Sequence, residues 1–372
     1  MKILQLTCHF RPNVGGVETH LNDLVEELSK RDNKVFVLTY KPLSFQTKWK
    51  VFEKEENISI LRLPWFTGLF YKLVKNPILE FLYLTPGLFV ATPFVLVFYN
   101  PEVVHTHGLV AGFIGVFWGR IFDKRVITTT HSIYNFPKKG IYRNFAKWIF
   151  EKSHHVLTLS KQSKKEIEGL GINPSKITAF TYWVDLDKFK PTANAKNKLG
   201  WNKKFVVLFV GRLVEEKGLL VLLKAAIKWN KNITLAIIGA GPLELEVKRS
   251  QEINKNIIFL GKVDNEKLSL YYSAADLLIV PSISEEGFGR VILESLACGT
   301  PVVGSSRGAI PEAIDKSVGE LINVSVIGVR KVIEYYFNNK NILKVIRGNT
   351  RNYATRKYNC KNANEIYAIY RI

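Results

Sequence analysis

Residues 277–301, LLIVPSISEEGFGRVILESLACGTP, restrict the chain to few folds. The apolar run Leu277 to Val280 reads as a buried strand that ends at Pro281. A polar loop with two glycines follows, and the spacing of Val291, Ile292 and Leu296 predicts a helix starting near Gly289. The same strand, glycine loop and helix order returns three times. Lys2 to Cys8 leads through HFRPNVGG into Val17 to Lys30, Phe205 to Val210 into GRLVEEKG, and Thr234 to Gly239 into GAGP. Repeated units of this kind specify an α/β fold with parallel, doubly wound sheets. At 372 residues the chain exceeds one ordinary core, so two domains are expected, facing each other across a cleft. The polar stretch Tyr182 to Asn197, which holds Pro191, separates the two βα series and places the boundary after residue 185.

Hydrophobic residues at 47% and aromatics at 12% supply ample core material and exclude a disordered chain. The formal charge of +21 is spread along the whole length with no basic block, which disfavours nucleic acid and favours an anionic membrane or a polyanionic small substrate. Three widely spaced cysteines, Cys8, Cys298 and Cys360, fit reduced thiols in a cytosolic protein. MKILQLTC reads as a first strand rather than a signal peptide. Lys34 to Tyr40 and Ile58 to Leu63 read as further strands joined by a charged, exposed connection. From Trp65 to Tyr99 the chain is apolar enough to raise a membrane span. Pro86, Gly87 and Pro93 argue instead for a helical pair, packed on its own domain or dipping into a membrane surface. Lys72 and Lys75, interleaved with Phe70 and Tyr71, keep surface binding open.

The chemistry sits in the loops. Gly287 and Gly289 let backbone approach a ligand, and the helix start behind them suits a phosphate. Glu286 and Glu294 are poor phosphate ligands, so they are assigned to hydroxyls, as on a sugar and a ribose. Gly15 and Gly16 open the first helix and offer amides to a phosphate, although the loop is not G-x-G-x-x-G. Arg212 and Lys217 stand where a diphosphate would be clamped. EVVHTH and RVITTTH end strands in His105, His107 and His131, which strand ends bring close together. With no carboxylate or cysteine at ligand spacing, hydrogen bonding outweighs a zinc site for these three. These parts together call for a sugar nucleotide.

GGVE, HTH and THS in the first half, then GRLVEEKG, GAGP and EGFGRVILESLACGTPVVGS, resemble the retaining glycosyltransferases of family four, whose two-Rossmann fold is called GT-B. The resemblance implies a domain 1–185 that binds acceptor, a domain 186–354 that binds the nucleotide sugar, and a terminal helix 355–372 that packs back on the first. It implies that Arg212 and Lys217 bind and neutralise the donor diphosphate, that Glu294 binds ribose and Glu286 the sugar, and that the amides of Gly287, Phe288 and Gly289 meet sugar or phosphate. Gly16 would contact the phosphate from the first domain, His131 would stand beside the donor sugar, and backbone near Val263 would meet the base. No metal and no cofactor are expected beyond a donor such as a UDP- or GDP-sugar.

The reading is a metal-independent glycosyltransferase, cytoplasmic and peripheral at the inner membrane surface, acting on a lipid-linked or glycan acceptor. PNVGGVETH, HTHG and THSIYNF are most similar to enzymes that add N-acetylglucosamine to phosphatidylinositol, the narrower alternative. A non-catalytic subunit that binds sugar nucleotides is the alternative from another class. Three positions depart from the family: Arg290 replaces an apolar residue, Tyr182-Trp183 replaces Asn-Gly, and GAIPE replaces GGxPE. Arg290 is expected either to add a phosphate contact or to face solvent.

Overall fold

The computed structural model describes all residues except 14, 44–46, 68–72, 74 and 75. Phe70, Tyr71, Lys72 and Lys75 therefore lie outside the described residues. The chain divides into two compact units, Met1–Thr181 with Lys361–Ile372, and Tyr182–Cys360.

The first unit runs β1 (Lys2–Thr7), α1 (Gly16–Ser29), β2 (Lys34–Tyr40), β3 (Phe52–Glu55), β4 (Ile58–Leu63), α2 (Pro77–Tyr99), β5 (Val103–His107), α3 (Gly108–Ile121), β6 (Arg125–Thr130), α4 (Ile141–Lys152), β7 (His155–Thr158), α5 (Lys161–Glu168) and β8 (Ile177–Ala179). Its sheet has the order β3-β4-β2-β1-β5-β6-β7-β8. Every pairing is parallel except β3 with β4. The central strands β5 and β6 are buried apart from Arg125, although VVHTH and RVITTT carry histidines and threonines among their apolar residues. The charged connection expected before Ile58 contains β3 instead. FEKE carries one apolar residue and no alternation, so its pairing comes from contacts: buried Arg62 on β4 forms an ion pair with Glu53 at 3.2 Å.

Within the stretch 65–99, where a helical pair is expected, 68–72, 74 and 75 lie outside the described residues, which hold the long helix α2. Asn76 caps it by accepting from the amides of Ile78 and Leu79. Its prolines are tolerated because neighbours serve the groups that proline disturbs. The Tyr40 hydroxyl donates to Leu84 O at 2.7 Å and accepts from Leu88 N at 3.0 Å, standing in the rung that those two would form directly. Pro93 has no N–H for Phe89 O, and the Trp118 indole donates to that oxygen at 2.9 Å. Among the described residues α2 is the one helix long and apolar enough to cross a membrane, and 33% of its most apolar stretch is buried.

The second unit continues with α6 (Ala195–Lys198), β9 (Phe205–Val210), α7 (Leu219–Ala226), β10 (Ile233–Ile238), α8 (Glu244–Ile253), β11 (Ile257–Gly261), α9 (Leu268–Ala274), β12 (Leu277–Val280), α10 (Arg290–Ala297), β13 (Val302–Ser305), α11 (Ile310–Ala313), β14 (Gly319–Ile322), α12 (Val326–Asn338) and α13 (Lys340–Lys357). Its six strands are all parallel, in the order β11-β10-β9-β12-β13-β14. The last helix, α14 (Ala363–Arg371), belongs to the first unit.

The units meet the sequence at other points than residues 185 and 354. Tyr182 and Trp183 are buried, and Val184 N donates to Tyr358 O at 3.0 Å, so this strip joins the second unit. Helix α13 runs on to Lys357, which carries 355–360 with it.

Candidate active site

In an open parallel sheet the ligand crevice lies at the carboxyl ends of the strands where the order reverses. In the second unit that point is between β9 and β12. The loop after β9 carries Arg212 and Lys217, and the loop after β12 carries Ser282 and Glu286. Ile283 N donates to Glu216 O at 2.9 Å, fastening one loop to the other. Gly218 sits at φ +70, and a Cβ there would lie 1.8 Å from Pro281 O, so only glycine allows this approach. Gly308, at φ +58, holds the other side: a Cβ would meet the backbone of Glu286 at 2.4 Å.

Lys217 Nζ and Ser282 Oγ both donate to Oε1 of Glu286. Burial pushes the Glu286 carboxyl up, but the Lys217 charge and hydrogen bond, Ser282 and Arg212 together outweigh it and hold the group below its ordinary value. Glu286 is therefore a fixed carboxylate inside a basic setting. Gly289 takes φ +73 immediately ahead of α10, while Phe288 is buried between Tyr182 and Tyr358. Gly287 and Val263 are half-buried, the latter just past β11.

Glu294 and Arg290 form a pair on α10. Both are buried, and Arg290 Nε donates to Glu294 Oε1 at 3.1 Å. The Tyr272 hydroxyl donates to Oε2 at 2.8 Å. Arg290 thus does not face solvent; its guanidinium spans the turn of α10 to Glu294 and also approaches Trp183 O at 3.5 Å.

In the first unit the order reverses between β1 and β5. Gly16 opens α1 and is exposed. His105 and His107 project from one face of β5 with ring centroids 4.2 Å apart, and His107 Nδ1 lies 2.9 Å from His131 Nε2. His107 Nε2 stands 2.7 Å from Gln5 Oε1, an acceptor only, so this nitrogen carries the proton. Nδ1 is then the acceptor for His131 Nε2–H. Gln5 Nε2 donates to the Tyr370 hydroxyl at 3.2 Å, and that hydroxyl lies 2.5 Å from His105 Nδ1. His105 Nε2 reaches Thr129 Oγ1 at 2.6 Å. The ring nitrogens are turned to one another and to fixed polar groups. Among the described residues no cluster of histidine, cysteine, aspartate or glutamate has an arrangement that would hold a metal ion.

Residues 14–188 match the family described as glycosyltransferase family 4, and residues 191–353 match glycosyl transferases group 1. This chain is a family-four glycosyltransferase of the GT-B fold. An uncharacterized glycosyltransferase of Methanocaldococcus jannaschii is 28% identical over 349 residues, covering 86% of this chain and 84% of its own. A phosphatidylinositol N-acetylglucosaminyltransferase subunit of Saccharomyces cerevisiae is 24% identical over 84% of this chain and 69% of its own. Among solved structures, sucrose-phosphate synthase of Thermosynechococcus elongatus superposes with a TM-score of 0.85 at 22% identity, covering 100% of this chain and 98% of that one. HepE of Anabaena, solved in complex with UDP, does so at 0.79 and 19% identity, covering 99% and 98%.

Several site residues of this glycosyltransferase escape the sequence. Gln5 and Tyr370 are 365 positions apart, and nothing local marks either. His20, on the buried face of α1, stacks on Phe180 at 5.5 Å and lies 6.1 Å from His131. Its signal was present: a histidine four residues after Gly16, within the apolar stripe Leu21, Leu24, Val25 and Leu28.

Burial holds His105 and His131 down to about 3, and His107 well below its ordinary value. The unfolded chain therefore takes up protons below about pH 6.5 that the folded enzyme refuses, and stability falls as pH is lowered through that window. The expected loss is about 1.4 kcal/mol per pH unit for each such histidine. Glu286, held below its ordinary value, contributes its own loss only at lower pH. Urea midpoints at pH 7.5, 6.0 and 5.0 should drop steeply for the wild type and less steeply for His107→Gln. Equal slopes would show that the histidines are not the cause.

Proposed function

We propose that this enzyme moves a sugar from a nucleoside-diphosphate sugar to a lipid-linked or glycan acceptor at a membrane surface, with retention and without a metal. The observation that carries the reading is the cluster of Arg212, Lys217, Ser282 and Glu286 at the crevice of the second sheet. Breaking the bond between the anomeric carbon and the phosphate oxygen places negative charge on the leaving diphosphate. Arg212 and Lys217 supply fixed positive charge for it, the role a metal would otherwise take. Lys217 and Ser282 both address Oε1 of Glu286, which leaves Oε2 to accept from a donor-sugar hydroxyl. The acceptor hydroxyl attacks on the face the diphosphate leaves, and its proton passes to the leaving phosphate oxygen. Glu294, already oriented by Arg290 and Tyr272, is assigned to ribose, the amides of Gly287 to Gly289 to sugar or phosphate, and backbone at Val263 to the base. Gly16 and His131 keep the roles that family resemblance implies. HepE, which shares the fold, is solved with UDP, which supports a nucleotide-sugar donor.

The membrane part rests on α2. Ile78, Leu82, Val90, Phe94, Val97 and Phe98 are each at least 58% exposed, a continuous apolar side that water does not favour. The similarity to an inositol-lipid transferase subunit supports a lipid acceptor.

Incubating the protein with UDP-, GDP- and ADP-sugars and a lipid extract, with mass spectrometry of the products, tests the reading. One donor should yield a glycosylated lipid whose anomeric configuration is kept, and EDTA should not change the rate. The protein should sediment with anionic vesicles at low salt, and Phe94→Asp with Phe98→Asp should lower that binding at least tenfold, each buried phenylalanine being worth about 1.5–3 kcal/mol. A trapped covalent link between sugar and Glu286 would overturn the same-face mechanism. Absence of sedimentation would overturn the membrane part alone.

A further inference from the structure

The opposite edge of the second sheet holds a cationic cavity with no part in the site above. Arg212 and Glu286 follow the carboxyl ends of β9 and β12, whereas this cavity is built at the amino ends of β9, β10 and β12. A six-residue strand separates the two edges by about 20 Å. The cavity has a volume of about 650 Å³ and is lined by Lys196, Lys203, Lys204, Lys340, Lys344 and Arg347, with Asp276 its only carboxylate.

That carboxylate is already engaged. Asp276 Oδ2 accepts from Lys196 Nζ at 2.5 Å and from Val206 N at 2.7 Å. Among the described residues Lys203, Lys204, Lys340 and Lys344 form no ion pair, so four like charges converge uncompensated. Arg347 is half-buried, with Nη2 fixed to Ala275 O. The Lys340 ammonium lies 5.4 Å from the Phe337 ring, and Phe337 and Leu343 line the same cavity. Like charges gathered around a concave surface repel one another and raise the local concentration of a counter-ion that several of them can share.

We propose that this cavity binds a multiply charged phosphoanion, a diphosphate or phosphomonoester group, at a second site separate from the one at Lys217. The cations reach from three places, the 203–204 turn, α6 and one side of α13, which suits an anion with several oxygens better than a single carboxylate. The group can arrive on a soluble molecule or as the headgroup of an anionic lipid. This inference does not depend on the proposed transfer reaction.

The test is protection of lysines from acetylation, read residue by residue by mass spectrometry, in Lys217→Ala protein at 150 mM salt. Inorganic pyrophosphate should slow labelling of Lys203, Lys204, Lys340 and Lys344 at least fivefold while leaving exposed Lys248 and Lys267 unchanged. Protection by phosphatidylglycerol vesicles but not by pyrophosphate would support the site and assign the source to lipid. Lys340→Glu with Lys344→Glu should weaken protection of Lys203 and Lys204 at least tenfold and leave the circular dichroism spectrum unaltered. No protection by either probe, or equal protection at Lys248 and Lys267, would overturn the proposal.

Discussion

Lys217→Ala is expected to lower turnover of the donor by about 10²–10³-fold, the usual effect of removing one preorganised group that meets charge formed in the transition state. The loss should fall on kcat and kcat/KM together, because the diphosphate gains charge only as the bond to the sugar breaks. A second consequence follows from geometry. Lys217 is one of two donors to Oε1 of Glu286 and the main influence that opposes its burial. Without that ammonium the Glu286 carboxyl should titrate higher than in the wild type, and the acid limb of the kcat profile should move to higher pH. Steady-state kinetics from pH 5 to 8 on wild type and Lys217→Ala would show both changes. A variant that keeps kcat and changes only KM would remove Lys217 from the bond-breaking step and leave it a ground-state contact. Lys217→Arg is a useful companion. It keeps the charge, but its planar fork does not reproduce a compact ammonium wedged beside Ser282 and Glu286, so partial activity with an intermediate pH profile is expected.

The place of Lys217 at the crevice is legible in the sequence because chemistry and spacing coincide there: a cation in the loop after a strand, beside a glycine that opens a helix. The place of Glu286 in the loop after β12 is legible for the same reason. The strands β2 and β4 were legible to the residue, since β2 is a mostly apolar, β-branched and aromatic run and β4 alternates buried Ile58, Ile60 and Arg62 with half-buried positions. What failed were elements whose cause lies elsewhere in the chain. FEKE becomes β3 through buried Arg62, and α2 passes Pro86 and Pro93 unbroken because Tyr40 and Trp118 supply hydrogen bonds from other elements. The hydrogen-bond chain behind His131 depends on Tyr370, which the fold brings to β1 and β5 from α14. No local pattern encodes such a partner.

Arg290 belongs to that second class, and the largest stability effect is expected from it. An arginine four residues before a glutamate on a helix ordinarily marks an exposed pair worth a few tenths of a kcal/mol. Here both side chains are buried, at 4% and 6% exposure, so the charges have lost their water and rely on each other. Arg290→Met should therefore cost about 3–5 kcal/mol, because Glu294 stays buried with the Tyr272 hydroxyl but without its countercharge. Glu294→Gln alone takes the carboxylate charge from the buried guanidinium and should also destabilise. The double variant removes both charges and should be more stable than the sum of the single changes predicts, by about 1–3 kcal/mol in a double-mutant cycle measured by urea unfolding. Strict additivity would mean that the pair is solvated in solution and that its burial is not what holds α10. The same pair bears on function through the orientation of Glu294. With Arg290 on one carboxylate oxygen and Tyr272 on the other, the carboxylate is fixed before any donor arrives, so a glutamate that binds ribose needs no ordering on binding. Arg290→Met, assayed where it remains folded, should then raise KM for the donor more than it lowers kcat, the opposite split from Lys217→Ala.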